Sequence, residues 1–180
     1  MGLNIVALIW GGVEAILFFI APDVWISVVA VYRGTRAGLE ACKWAAAGAL
    51  VGGAIMYQWA HADAVAVFAL LQRLPGIDAG VIAGVRDSLE SSGLVAMLAG
   101  TFSGVPYKIY AALSGDIGLN FFYFLGLSLP ARLLRFALIA GIVGGINHRY
   151  GRTLTRTRAV LTVLGLWAVF YGFYFTLAPG

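Results

Sequence analysis

AVLTVLGLWAVFYGFYFTLA, residues 159–178, decides the fold class, because its twenty residues include no charge. A helix of that length rises about 30 Å, which matches the hydrocarbon thickness of a bilayer. Its Trp, Tyr and Phe gather toward its end, as they do in the aromatic belts of membrane proteins. The whole chain agrees: of 180 residues, 61% are hydrophobic and 11% charged. A soluble domain carries about a quarter charged residues. A core of this size cannot hide so much apolar surface, so the bilayer is expected to be its solvent. The length fits one domain, and no polar stretch is long enough to build a soluble one. The expected class is all-α, a polytopic helical membrane protein.

Moving outward, residues 44–60 are also uncharged, and Gly48, Gly52 and Gly53 invite close approach of another helix. Residues 117–147 read as a helix from about Gly118, kinked or broken near Pro130, that carries Arg132 and Arg135 at bilayer depth. Two further stretches are too short or too interrupted to span. Residues 3–21 contain Glu14, end at Pro22 and Asp23, and are followed by the short apolar run 24–32. Residues 94–103 break at Gly104 and Pro106 and resume as the short run 109–113. Each pair reads as a re-entrant hairpin. Exposed backbone at a hairpin tip is tolerated only where protein or trapped water covers it, so the two tips should meet inside the protein. Residues 61–92 are mixed, with Val81, Ile82, Val85 and Leu89 on one helical face, as on a helix lying along the membrane surface. Cys42 is the only cysteine, which excludes an intrachain disulfide. The N-terminus has no basic start before its apolar run, unlike a signal peptide, and is expected to be retained.

The charges favour one topology. Residues 33–43 hold three basic residues and one acid, and residues 148–158 hold four arginines and no acid. Residues 61–92 hold two arginines and four acids. The first two segments are expected to be cytoplasmic and the third outside. The net charge of +4 is therefore read as membrane orientation, not nucleic-acid binding. The trace then contains hairpin plus span twice, in opposite orientation, with one extra C-terminal span. Spacing agrees, since Pro22 precedes Gly34 by twelve residues and Pro106 precedes Gly118 by twelve. The segments expected are 1–60 for the first hairpin and span and 61–92 for the amphipathic segment. Residues 93–147 form the second hairpin and span, 148–158 a basic loop and 159–178 the last span. Inverted repeats with broken helices meeting at the midplane are a common build of transporters.

VPYKIYAALSG at 105–115 and SLPARLLRF at 128–136 resemble the DedA superfamily, also called SNARE-associated Golgi or VTT-domain proteins, and most closely its small YqaA-like bacterial branch. The Pro-Tyr-Lys tip, the following Gly and the Arg-x-x-Arg-Phe helix carry the likeness. Glu14, Pro22, Asp23, Gly52, Gly53 and Tyr57 match the first half more loosely. The resemblance implies a transporter or scramblase that moves phospholipid or polyprenyl phosphate between leaflets of a bacterial cytoplasmic membrane, with proton coupling.

Five residues could carry such chemistry. Charges at membrane depth cost about 2.5–17 kcal/mol depending on the method, so they usually face a cavity or a partner. Glu14 reads as a proton acceptor or as an interfacial residue. Asp23 reads as a proton acceptor and head-group contact or as a helix N-cap. Arg132 and Arg135, three apart on one face, read as a phosphate clamp or as ion-pair partners of Glu14 and Asp23. Lys108 reads as a point charge for phosphate or as a snorkelling interfacial lysine. Pro22 and Pro106 break helices. Gly100, Gly104, Gly141 and Gly145 have GxxxG spacing, for which packing is the default. Arg149, Arg152, Arg156 and Arg158 set topology and touch anionic lipid. His61 and His148 read as isolated loop residues. No cofactor or metal set is expected, and nucleophile, zinc and nucleotide motifs are absent from the sequence. Membrane lipids with anionic head groups are the expected partners. Glycine-bearing helices are also compatible with a homodimer. The rival reading is a non-transporting membrane assembly subunit whose buried ion pairs hold the fold.

Overall fold

The computed structural model describes residues 2–93, 95–150 and 155–177, and every element among them is a helix. Leu94 in the second hairpin, Arg152 in the basic loop and Ala178 at the end of the last span lie outside the described residues. The helices in chain order are α1 Gly2–Ile16, α2 Asp23–Arg33, α3 Thr35–Ala62, α4 Ala64–Leu71, α5 Ala79–Ser92, α6 Val95–Ser103, α7 Tyr107–Asp116, α8 Phe121–Tyr150 and α9 Arg156–Leu177. Three of them, α3, α8 and α9, are long and apolar enough to cross a membrane. Their surfaces fit that reading. Val51 and Ile55 on α3, Leu138 and Ile142 on α8, and Leu166 and Phe173 on α9 are all exposed.

Two of these helices outgrow the segments expected from sequence. The helix expected at 44–60 begins at Thr35, so Arg36, Glu40 and Lys43 sit on its first turns and not in a loop. Glu40 and Lys43 pair along that helix at i, i+3. Of the kink or break expected near Pro130, the break is absent: α8, Phe121–Tyr150, runs through the proline. A proline ring crowds the carbonyl four residues earlier, here that of Gly126. His148 and Arg149 accordingly lie on the last turn of α8.

The two expected helix–break–helix units are present as α1/α2 and α6/α7. Gly104 breaks the second at φ +83°, a conformation open to glycine and costly for other residues. Gly34 and Gly118, the two residues twelve beyond the prolines, both adopt positive φ, at +92° and +69°. Each lies between the second arm of its unit and the long helix that follows.

α7 is the centre of the molecule, with all nine residues 107–115 buried. One apolar cluster joins it to the C-terminal half of α3, to α5 and to the start of α8. A second joins α1, α2, the N-terminal half of α3 and the Phe136–Ala140 region of α8. α1 and α3 approach backbone to backbone: Cβ atoms built on Gly11, Gly48 or Gly52 would collide with main-chain carbonyl oxygens of the facing helix. The Gly48/Gly52 spacing therefore does packing work. Gly141 and Gly145 face open space.

Asp63 and Asp78 start α4 and α5 by accepting from Ala66 N at 3.0 Å and Val81 N at 2.7 Å. The apolar face of α5 is buried through Ile82, Val85 and Leu89, with Val81 packed beside them. That face therefore rests on the protein's own core. His61, read as a loop residue, sits near the end of α3, where its Nδ1 lies 3.1 Å from the carbonyl oxygen of Gly115.

Candidate functional site

The charged residues picked out in the sequence converge where the two helix breaks meet. Lys108 opens α7, and its Nζ donates to the carbonyl of Phe18, in the first break, at 2.7 Å. The two helix breaks thus touch. Glu14 from α1 forms a buried ion pair and hydrogen bond with Arg132 of α8. Asp23, the first residue of α2, accepts from Arg135 Nε at 2.9 Å. Arg135 Nη2 lies 2.8 Å from the same oxygen, and Nη1 donates to Thr101 O at 3.2 Å. Each acid comes from the first half of the chain and each arginine from the second.

These groups are deeply placed: Glu14 is 6%, Asp23 1%, Lys108 2% and Arg132 4% exposed. Burial of that depth is tolerated for a charge only when it is paired and hydrogen-bonded. The N-cap reading of Asp23 is not realised. Pro22 occupies the cap position without a side-chain bond, and the Asp23 carboxylate turns to Arg135 instead. Asp23 keeps a local link of another kind, since its carbonyl accepts from Ser27 Oγ at 2.6 Å. Snorkelling is not realised for Lys108 either, because the side chain is buried and its ammonium donates to the Phe18 carbonyl.

Pairing leaves a remainder. With all five groups charged, three cations face two carboxylates. Lys108 is the cation with no carboxylate within salt-bridge distance among the described residues. Asp23 Oδ1 and Arg132 Nε are buried without hydrogen-bond partners among the described residues. Buried polar atoms are rarely left so, and each such case calls for an explanation.

Several contributors were not legible as site residues. Tyr107 places its ring 4.4 Å from the Arg132 guanidinium carbon, and its hydroxyl donates to Ser128 Oγ at 2.9 Å. A cation over an aromatic face is stabilised by the ring's negative quadrupole. The position of Tyr107 beside Lys108 was the available signal. Tyr171 and Trp167 arrive from α9: the Ala21 amide donates to Tyr171 Oη at 2.7 Å, and Trp167 Nε1 donates to Ser27 Oγ at 3.2 Å. Nothing in residues 159–178 distinguishes these two aromatics from belt aromatics.

Two hollows adjoin the cluster. The smaller, of about 110 Å³, is lined by Glu14, Lys108, Arg132, Arg135 and Tyr171, among others. The larger, of about 580 Å³, is an apolar groove between α8 and α9, with Asp23 and Arg135 at its polar part. Gly104, Arg135 and Phe170 line both. Among the described residues, no group of three or more His, Cys, Asp or Glu side chains converges as metal ligands would.

The fold and this site define an all-helical chain with three helices of membrane-spanning length and a buried charge cluster between two helix breaks. No family model matches the sequence, and no solved structure matches it. It is similar to an uncharacterized protein of Haemophilus influenzae, at 26% identity over 157 residues that cover 87% of this chain and 78% of that protein.

Proposed function

We propose that the chain is an integral protein of a bacterial cytoplasmic membrane that moves an anionic lipid, a phospholipid or a polyprenyl phosphate, from one leaflet to the other. The observation that carries this reading is the surplus cation: three basic groups, Lys108 and Arg132 buried and Arg135 half-buried, against two acids, at a small polar hollow that adjoins an apolar groove. An amphiphile with an anionic head matches both surfaces. The motifs shared with the DedA superfamily point the same way, as do the two helix breaks, read as re-entrant hairpins of an inverted repeat.

In this reading Glu14 and Asp23 hold Arg132 and Arg135 while the site is empty of lipid. A lipid phosphate takes the place of a carboxylate on an arginine, which binds phosphate in the same bidentate way. Protonation of the displaced acid removes the cost of leaving it charged and unpaired, which couples lipid movement to protons. Lys108 supplies the charge that attracts the head in the first place.

The test is leaflet exchange of fluorescent anionic phospholipid in proteoliposomes, with wild type, Arg135→Ala and Glu14→Gln in parallel. Exchange by wild type that falls at least about tenfold in both folded variants supports the reading. A second reading has a specific observation in its favour, because both arginines are already paired: the ion pairs simply hold the two halves together. Folded wild-type protein that moves neither phospholipid nor polyprenyl phosphate would establish that reading.

A further inference from the structure

The groove between α8 and α9 is open in the structure. It is apolar along Leu138, Ile142, Val163 and Leu166, and it ends at Asp23 and Arg135. Its volume of about 580 Å³ falls within the ~300–1,000 Å³ of ordinary ligand sites. α9 rests on α2 and the first break through Trp167 and Tyr171, which leaves its α8-facing side unfilled. At the polar part of the groove, Asp23 is 1% exposed and its Oδ1 has no hydrogen-bond partner among the described residues. A carboxylate oxygen in that position accepts and needs a donor.

Resting on the lipid-movement reading, we propose that this groove seats one hydrocarbon chain of a phospholipid, and that the head is a singly charged phosphodiester bearing a hydroxyl group. Three features select it. The apolar walls take the chain. In the lipid-bound state before either acid is displaced and protonated, the single excess positive charge of the cluster matches one phosphodiester anion, held by Arg135 with Lys108 beyond it. The orphan Asp23 oxygen accepts from the head-group hydroxyl. A zwitterionic head leaves the excess charge unmatched. A phosphate monoester on a polyprenyl chain brings no head-group hydroxyl beyond the phosphate itself.

The experiment uses the purified full chain in neutral phosphatidylcholine vesicles doped with photoactivatable lipids carrying a diazirine in the acyl chain. The three probes are phosphatidylglycerol, phosphatidylmethanol and phosphatidylcholine. Phosphatidylmethanol has the same charge as phosphatidylglycerol and lacks the hydroxyl. Adducts are mapped by peptide mass spectrometry and compared with those on Val51 and Ile55, an exposed apolar face of α3 that serves as the reference for ordinary surrounding lipid. The expected result is phosphatidylglycerol enrichment in the groove of about tenfold over that reference. Phosphatidylmethanol should be intermediate and phosphatidylcholine level with the reference. Ile142→Trp fills the groove away from the ion pairs and should remove the enrichment while leaving the α3 adducts unchanged. Asp23→Leu, checked for folding, should make phosphatidylglycerol and phosphatidylmethanol equal.

Groove adducts no more frequent than those on α3 overturn the proposal. Equal enrichment of phosphatidylglycerol and phosphatidylmethanol in wild type overturns its head-group assignment. Leaflet exchange scored on the same vesicles separates the two levels. Enrichment without exchange removes the transport reading and leaves a bound-lipid site, whereas exchange without enrichment removes only this proposal.

Discussion

Lys108 and the two acid–arginine pairs respond differently to substitution. Lys108→Met keeps the shape of the side chain, removes a buried charge and leaves the Phe18 carbonyl without its donor. The missing donor costs about 1–3 kcal/mol, and the lost charge offsets part of it. Stability in detergent is therefore expected to change little, by roughly 1 kcal/mol, while leaflet exchange falls at least about tenfold. A variant that keeps wild-type exchange would remove Lys108 from the site. The Glu14–Arg132 pair should behave in the opposite sense. Glu14→Leu or Arg132→Leu alone strands one buried charge and is expected to cost about 3–5 kcal/mol. The double variant should recover about 2 kcal/mol relative to the sum of the two, because neither charge is then left unpaired. Unfolding titrations of the four proteins measure this cycle, and simple additivity would show that the pair is not coupled.

The helices show which physical signals reach the sequence and which do not. Helices α3 and α9 were legible because uncharged runs of bilayer length are rare in soluble chains. The two breaks were legible from Pro22, Pro106 and Gly104, whose backbone preferences act locally. The start of α3 was not, because Arg36, Glu40 and Lys43 look like a loop until their helical spacing is set against the missing break between them. At Pro130 the sequence left a kink or a break open, because whether a helix continues through a proline is decided by the packing around it. In the site, the residue types and the Glu14 and Asp23 partnership with Arg132 and Arg135 were among the readings. Tyr107 over Arg132 depends on how α7 packs against α8, and Tyr171 and Trp167 against the first break depend on which way α9 turns; no local pattern encodes either. The α1–α3 contact makes its own prediction. Gly48→Val pushes a branched side chain against the Leu8 carbonyl and the Gly12 amide. It should cost about 1–3 kcal/mol or more, whereas Gly141→Val, which meets nothing, should cost little. Thermal unfolding in detergent compares the two.

For the whole molecule, the charge asymmetry of the sequence sets an expected orientation. The Arg33/Arg36 junction of α2 and α3 and the Arg156/Arg158 start of α9 should face the cytoplasm, and the Asp63–Asp87 region should face outward. Single cysteines placed at Arg36, Asp87 and Arg158 in a Cys42→Ala background test this with a membrane-impermeant thiol reagent on intact cells. Only Asp87→Cys should be labelled from outside. Labelling of all three from one side would contradict the inverted arrangement of the two halves.

The acid–arginine pairs also impose an order in time. Their partners are 118 and 112 residues apart along the chain, with the acid always made first. At the ~5–20 residues per second of protein synthesis, Arg132 follows Glu14 by roughly 6–24 seconds. In a chain that inserts as it is synthesised, the first half waits that long with two unneutralised carboxylates. A nascent chain stalled before Pro130 should therefore remain engaged with the insertion machinery or be degraded. Release into the bilayer should come only once both arginines have emerged.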